Sequence, residues 1–401
     1  MFHPLVVLLV CLCIGNETYA KDIGFQFEIE SKTGLSQHSP IWVTLPEELK
    51  NTIANQLECV ETSELINCQI SEDGKQIVFI LPNALAPNES QTYELQYSPK
   101  IPLTQVQAIE EQNQISLRLK GTEVLAYQSS IDEPPEGFSK LYRRSGHIHP
   151  FVTPQGKVVT DAFPVDHMHQ HAIFSAWTKT VFEGERVDFW NQKAGTGTVL
   201  HQEVLARHAG SVFASVKVRL THTALKETPL PVLDEIWTVR LYNNSKVHIF
   251  DVESVQKCVA DSPLTIAEYH YGGFAFRGSA EWNGEGTHQI ITNATKDRKV
   301  GNHTRPDWVS IFGEVQGEFC GAAMFSHPSN FRSPQPVRLH PSMPYFVYSP
   351  CVLGEFDLKP GVPYKTKNRY IAFDGPPKKE LLNALWNDYS QTPIIIWKEV
   401  E

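Results

Sequence analysis

Beyond residue 14 the chain has no apolar run long enough to cross a bilayer, which excludes a transmembrane helix from its body. Positive charge is also short. Lys and Arg number 35 against 45 Asp and Glu, and the formal net charge of −10 argues against nucleic acid or an anionic membrane as the main partner. A local cluster of Arg and His could still meet an acidic substrate. There is no CxxC pair of the kind that binds zinc or exchanges disulfides. Internal repeats, low-complexity tracts and a βαβ rhythm are absent as well, which leaves antiparallel sheets as the natural architecture.

Cysteine is sparse. Cys11 and Cys13 lie near the N-terminus; Cys59, Cys68, Cys258, Cys320 and Cys351 remain, an odd number. Cys59 and Cys68 are close enough in sequence to pair in an exported protein, and equally suited to be buried thiols.

The one long apolar run, Leu5 to Ile14, has the length of a signal-peptide core, although no Lys or Arg precedes it. Thr18-Tyr19-Ala20 supplies small residues where a signal peptidase reads. The expectation is a signal peptide over residues 1–20, cleaved after Ala20, and a periplasmic or extracellular protein without a membrane span.

The 401 residues suggest about two to three domains, and 41% hydrophobic residues can fill a sizeable core. Phe25 to Ile29 alternates apolar and polar residues, Ile41 to Leu45 follows, and Asp73-Gly74 predicts a hairpin into Gln76 to Ile80. With Tyr93 to Leu95 these form a small β-domain over residues 21–103, bounded by a segment flanked by Pro99 and Pro102. Strand signals then run through residues 104–377. In the clearest, Val212, Ala214, Val216, Val218 and Leu220 share one face. Glu235 to Leu241 and His248 to Val255 read as strands about an Asn243-Asn244 turn. Residues 378–401 hold the only helical spacing, at Leu381, Leu382, Leu385, Trp386 and Tyr389. The fold class expected is mostly β: a large antiparallel β-supersandwich with a small N-terminal β-domain and a C-terminal helix.

Chemistry concentrates in Asp166-His167-Met168-His169-Gln170-His171. If that stretch is extended, His167, His169 and His171 point the same way at about 6–7 Å spacing. Three such imidazoles could hold a divalent metal ion or serve a substrate directly, with Asp166 orienting one of them. Upstream, His147 and His149 alternate in the same manner, and Arg143 beside Arg144 could hold a carboxylate or sulfate. Glu268 and His270, before Gly272-Gly273, carry acid and base groups suited to sugar chemistry. His327, Asn330 and Arg332 form a polar loop. The candidate catalytic residues are therefore His167, His169, Glu268 and His270. His147, His149, His171, Arg143, His327, Asn330 and Arg332 are candidates for substrate binding.

The run HIHPFVTPQGKVVTDAFPVDHMHQHAIFSAW from His147, with VDFW, YGGFAFRG, SHPSNFRSPQP and LKPGVPYKTKNRYIAFDG after it, resembles the PmoA-like family over residues ~115–375. The resemblance carries Asp166, His167 and His169; positions 168 and 170 to 172 depart from the DHPHH-Arg-Gly pattern of many members. A methane-monooxygenase subunit, which the family's name suggests, would need transmembrane helices that this chain lacks. The resemblance instead implies a supersandwich similar to that of galactose mutarotases and several polysaccharide lyases, and so a carbohydrate ligand. Trp190 in VDFW and Arg277 in YGGFAFRG join the substrate-binding candidates on that basis, and Trp177 and Trp308 are further aromatics on which a sugar could stack. Three functions stay open: a lyase, hydrolase or epimerase acting on saccharide, a metal-dependent enzyme built on the histidines, and a non-catalytic glycan-binding protein.

Overall fold

Alternation in the first strand sets the first layer. In a computed structural model, which describes residues 24–50, 54–98 and 102–399, Phe25–Ser31 buries every second residue. Phe25, Phe27 and Ile29 face a core with Val43, Leu57, Ile77, Phe79 and Tyr93. The expected hairpin is present: Leu65–Ile70 pairs antiparallel with Gln76–Ile80, and Gly74 takes the positive φ of 71° that the turn demands. This sheet has seven strands, and its edge strand is Ile394–Glu399 from the far end of the chain, with Phe27 opposite Trp397. The signal-peptide segment, and residues 99–101 of the proline-flanked linker, lie outside the described residues.

Two eight-stranded antiparallel sheets form the body. The front sheet runs Val337–Leu339, Tyr345–Tyr348, Gly272–Arg277, Ile173–Trp177, Ile148–Phe151, Thr122–Gln128, Gln114–Leu119 and Val106–Glu110. The back sheet contains Phe213–Ala224, Leu230–Tyr242, His248–Cys258 and Tyr364–Asp374 at its centre. Long alternating strands pair in register there, Val216 with Val239 and Val218 with Trp237, because each strand has one continuous apolar face to bury. Asn244 accepts from the Lys246 and Val247 N–H groups and turns the chain between two of them.

The inner faces meet in one core. Phe274 lies 5.2 Å from Trp237 and Phe276 stacks on Tyr370, ring centroid to ring centroid 6.5 Å, so residues 274 and 276 face the back sheet. Strand alternation then turns Ala275 and Arg277 outward. Their cross-strand partners Phe174, Val347 and Tyr345 turn outward with them, as does Arg338 opposite Val347. That outer face of the front sheet carries most of the sequence-selected residues.

The outer face of the back sheet meets the N-terminal sheet and the helix Lys379–Ser390. Val78, Phe213, Tyr242, Ile249, Ile371, Leu382 and Leu385 form one buried cluster there. Polar bolts flank it: Glu72 accepts from Ser215 Oγ at 2.6 Å and Arg240 Nε at 3.0 Å. Cys59 and Cys68 are buried free thiols, and Cys59 Sγ accepts from Gln91 Nε2 at 3.1 Å. No helix among the described residues is long and apolar enough to cross a membrane.

Trp397 ties the far end of the chain to the N-terminal sheet, packing on Phe27 at 5.0 Å and donating Nε1–H to Thr44 O at 3.1 Å. Trp397→Ala removes a half-buried aromatic contact and a hydrogen bond, a loss of about 1–3 kcal/mol. The expected outcome is a lower denaturant midpoint and faster amide exchange across Phe25–Ser31. Unchanged exchange there would mean that the edge strand is dispensable.

Candidate functional site

Residues 161–172 fold back across the outer face rather than running along it. Ala162 bridges to His171, and between them His167 N–H donates to Pro164 O and Gln170 N–H to His167 O, both at 2.9 Å. Two successive turns result, with left-handed φ angles of 56° at Phe163 and 53° at Ala172. The extended conformation expected for the histidine run is therefore absent, and the three imidazoles diverge. His167 and His169 stay together, ring centroids 5.5 Å apart, while His171 turns inward and its Nε2 meets Gln192 Oε1 at 2.6 Å. Its other nitrogen is enclosed beside Phe163 and Phe174. A metal site of His167, His169 and His171 does not fit this geometry, and among the described residues no three His, Cys, Asp or Glu side chains are placed to hold a metal ion.

Arg277 holds the turns. Its guanidinium, fully buried, donates to Gln170 Oε1 at 2.6 Å, to Asp166 Oδ1 at 3.2 Å and to Asn283 Oδ1. Both terminal nitrogens of Arg277 are thus engaged by protein groups, while its Nε has no acceptor among the described residues; being wholly buried, it positions the loop rather than meeting a ligand, a correction to its expected substrate-binding role. Asp166 Oδ2 also lies 3.6 Å from His167 Nδ1, consistent with the orienting part expected of it.

The third imidazole beside His167 is His340, at 6.0 Å, which the sequence reading missed. It follows Arg338 two residues on, so the alternation of Arg338, Leu339 and His340 was the available signal. Burial, and then the neighbouring His167, push His169 down to about 4; burial, His167 and Arg338 do the same to His340. Both rings are neutral at pH 7. Arg338, whose charge acts on His340, also lies over the Tyr271 ring at 5.6 Å, and Trp190 and Tyr345 lie 5.9 Å from that ring. Burial raises the Tyr271 hydroxyl above its ordinary range, so it stays protonated. His270 packs on Tyr271 at 4.5 Å, and Glu268 is exposed.

The remaining candidates separate into two places. His147 is buried against His171 at 5.6 Å, with Asp132 Oδ2 3.4 Å from its Nε2. His149 Nδ1 meets Thr160 Oγ1 at 3.1 Å, and burial pushes that ring down to about 4. These two histidines and His171 form a closed layer under the site. Arg143 is exposed, while Arg144 beneath it is buried over the Phe174 ring at 5.0 Å. Trp190 is buried on Phe174 at 4.8 Å, and Trp177 and Trp308 are wholly buried, so none of the three offers a free stacking face.

His327 and Asn330 belong to the back-sheet side of the sandwich, while Arg332 is bonded to the 350–355 segment, whose Cys351 O accepts from Tyr269 N–H. His327 lines a cavity of 410 Å³ at the junction of the back sheet, N-terminal sheet and C-terminal helix, its ring 5.0 Å from Tyr389. Asn330 is buried, donating to Lys367 O at 2.9 Å and accepting from Lys367 N–H at 2.7 Å. Arg332 clasps Pro350 O, Gly354 O and Glu355 O. Asn330 and Arg332 brace the loop instead of binding substrate, because the backbone there exposes carbonyl and amide groups that a buried turn must satisfy.

Gly272 and Gly273 let the Tyr271 segment approach. They adopt φ of 155° and 114°, and a Cβ would fall 2.9 Å from Cys351 Sγ at the first and 2.7 Å from Tyr348 O at the second.

The model of a family of unknown function (DUF6807) matches residues 114–387. No curated protein matches the chain in sequence. Among solved structures, the heparan sulfate lyase HepC from Pedobacter heparinus is similar with a TM-score of 0.32 and 11% identity, over 71% of this chain and 38% of that one. An alpha-mannosidase from Enterococcus faecalis V583 gives a TM-score of 0.41 and 10% identity, over 94% and 46%. The chain thus spans less than half the length of either.

A neutral, part-buried imidazole links stability to pH. Below the ordinary value of 6.5 the unfolded chain binds a proton that folded His169, at about 4, excludes. Stability from this ring is therefore complete above pH 6.5 and is lost as pH falls from about 6.5 to 4. Relative to a His169→Gln variant, the wild type should lose about 1 kcal/mol over that interval in urea titrations, allowing for solvent screening. Parallel curves would show that His169 titrates as it does in water.

Proposed function

The chain belongs to the DUF6807 family, whose function is unknown, and from that premise we propose that it binds a saccharide on the outer face of the front sheet and acts on it by acid–base chemistry. The observation that carries this reading is the grouping of His167, His169 and His340, joined to the Tyr271 phenol through Arg338, which acts on His340 and lies over the Tyr271 ring. A neutral imidazole has a free lone pair that can take a proton in the transition state, and a protonated phenol can return one. His169 and His340 are the base candidates, and Tyr271 is the acid candidate. Hydrolysis with paired carboxylates fits less well. Asp166 is held by Arg277, and Asp188 spends its oxygens on the N–H groups of Trp190 and Asn191. Lyase or epimerase chemistry, in which a proton leaves carbon, is the better match.

We place this activity in the periplasm or outside the cell, on the strength of the Leu5 to Ile14 run and the Ala20 cleavage signal. Kinship with PmoA-like proteins, and a galactose-mutarotase-like form of the sandwich, belong to the same proposal and rest on the ordered motifs from His147 to Gly375.

The test is incubation with a panel of oligosaccharides, read by mass spectrometry and by proton NMR at the anomeric and ring positions. A product with an added double bond, or with inverted stereochemistry at one carbon, is expected. His169→Ala, His340→Ala and Tyr271→Phe should each lower turnover by about 10²–10⁴-fold while the far-ultraviolet circular dichroism stays unchanged. Saturable binding with no product from any saccharide would assign the protein to glycan binding alone. Full activity in all three variants would remove the site from the chemistry.

A further inference from the structure

Cations without acidic partners stand beside Tyr269, Tyr271 and His340. On this face Asp132 pairs with His147, and Asp166 with His167 and Arg277. Among the described residues, Lys179, Arg298 and Arg338 form no ion pair. Lys179 Nζ lies 4.2 Å over the Tyr269 ring, and Arg298 donates to the carbonyls of His340 and Met343 at 3.2 and 3.3 Å. Arg338 donates Nη1–H to Asn302 Oδ1 at 3.2 Å, and its Nε–H has no protein acceptor. His270 and His303 stand in the field of the same Arg338. Glu268 is exposed and pairs with none of these cations.

This is a local reversal of charge in a chain of formal charge −10. Of the cations that face the N-terminal domain, Arg240 has Glu72 and Glu253, Arg369 has Asp251, and Lys367 has Glu253. Cations left unpaired beside Tyr269, Tyr271 and His340 create a positive potential that draws anions to that place. A guanidinium is a planar fork matched to two oxygens of one acid group.

We infer that the saccharide taken by this site is acidic, with a carboxylate or sulfate group bound by Arg338 beside Tyr271 and steered there by Lys179 and Arg298. The inference rests on the saccharide reading above and narrows it to uronate-bearing or sulfated sugars. In a uronate, Arg338 on the carboxylate would draw electron density from the neighbouring carbon and ease removal of its proton by His169 or His340. The assignment of substrate class stands apart from that step.

Calorimetric titration with oligosaccharides matched in length tests it, using a neutral, a carboxylated and a sulfated series at low and at moderate salt. At least one acidic series should bind about 10-fold or more tighter than the neutral one, with an affinity that falls as salt rises. The two acidic arms tell which acid group the fork takes. Arg338→Gln should erase the preference, Arg338→Lys should restore part of it, and Lys179→Gln, at an exposed position, should weaken the acidic ligand alone. Equal binding of neutral and acidic series, unaltered in these variants, would overturn the inference and leave the saccharide reading standing. No binding by any series would overturn both. Equal affinity for polyacrylate of similar length would reduce the patch to a general polyanion surface and overturn the inference also.

Discussion

Arg277 is a full positive charge taken out of water, and the candidate site is built around the ways of compensating it. A buried guanidinium costs several kcal/mol unless its donors are met. Here Gln170, Asp166 and Asn283 meet the two terminal nitrogens, so the strand Gly272–Arg277, the double turn at 164–170 and the segment after Ala280 are fixed to one point. Asp166 and Gln170 bracket the two histidines of that turn. Releasing either would leave a buried donor unpaired, which is why the turn presents His167 and His169 on one side in a fixed relation. The pairing contributes little net stability by itself; its effect is geometric.

The sandwich determines where such a point can act. Both central strands of the front sheet are buried on both faces, the inner by the back sheet and the outer by the returning loop and the Asp188 turn. The outer face is therefore a second, polar interior with only its margin open. In the closed layer beneath, His147, His171 and Arg144 are shielded from water, and burial drives each toward its neutral form, Arg144 down to about 10. At the margin, His167, His340, Arg338 and Tyr271 keep partial exposure. Groups of the same chemical type thus serve two ends, support below and contact above, separated by one layer of side chains.

How much of this was legible follows from the range of each signal. Strand period is local, so Phe25–Ser31, Phe213–Ala224 and His248–Cys258 could be read from alternation, and the helix at Lys379–Ser390 from its apolar spacing. The strand Ile394–Glu399 was not read as part of the N-terminal sheet, because its partner lies 370 or so positions away and nothing nearby names it. The histidine run misled for a related reason. Its alternation is real, but Pro164 and the left-handed residues Phe163 and Ala172 break the strand that alternation implies. A left-handed conformation at Phe or Ala is imposed by tertiary contacts, not by those residues' own preference. Arg332 and Asn330 looked functional because polar residues in a loop do; here they pair backbone groups of a buried bend. His340 and Arg338 went unnoticed because a single His or Arg carries no weight until the fold places it beside another.

The charge pattern completes the case that margin and support are distinct. Arg144 and Arg332 brace the fold through backbone carbonyls, whereas Arg369 grips both oxygens of Asp251 at 2.8 and 2.9 Å. Arg338 has no such carboxylate among the described residues, and a part-buried guanidinium without a counter-charge loses hydration and gains little in return. Its contacts are instead a neutral amide and an aromatic face. Both orient the group without neutralising it. An acidic side chain at this point would improve stability and at the same time repel an anion, so the lack of one is intelligible if an anion must arrive from outside.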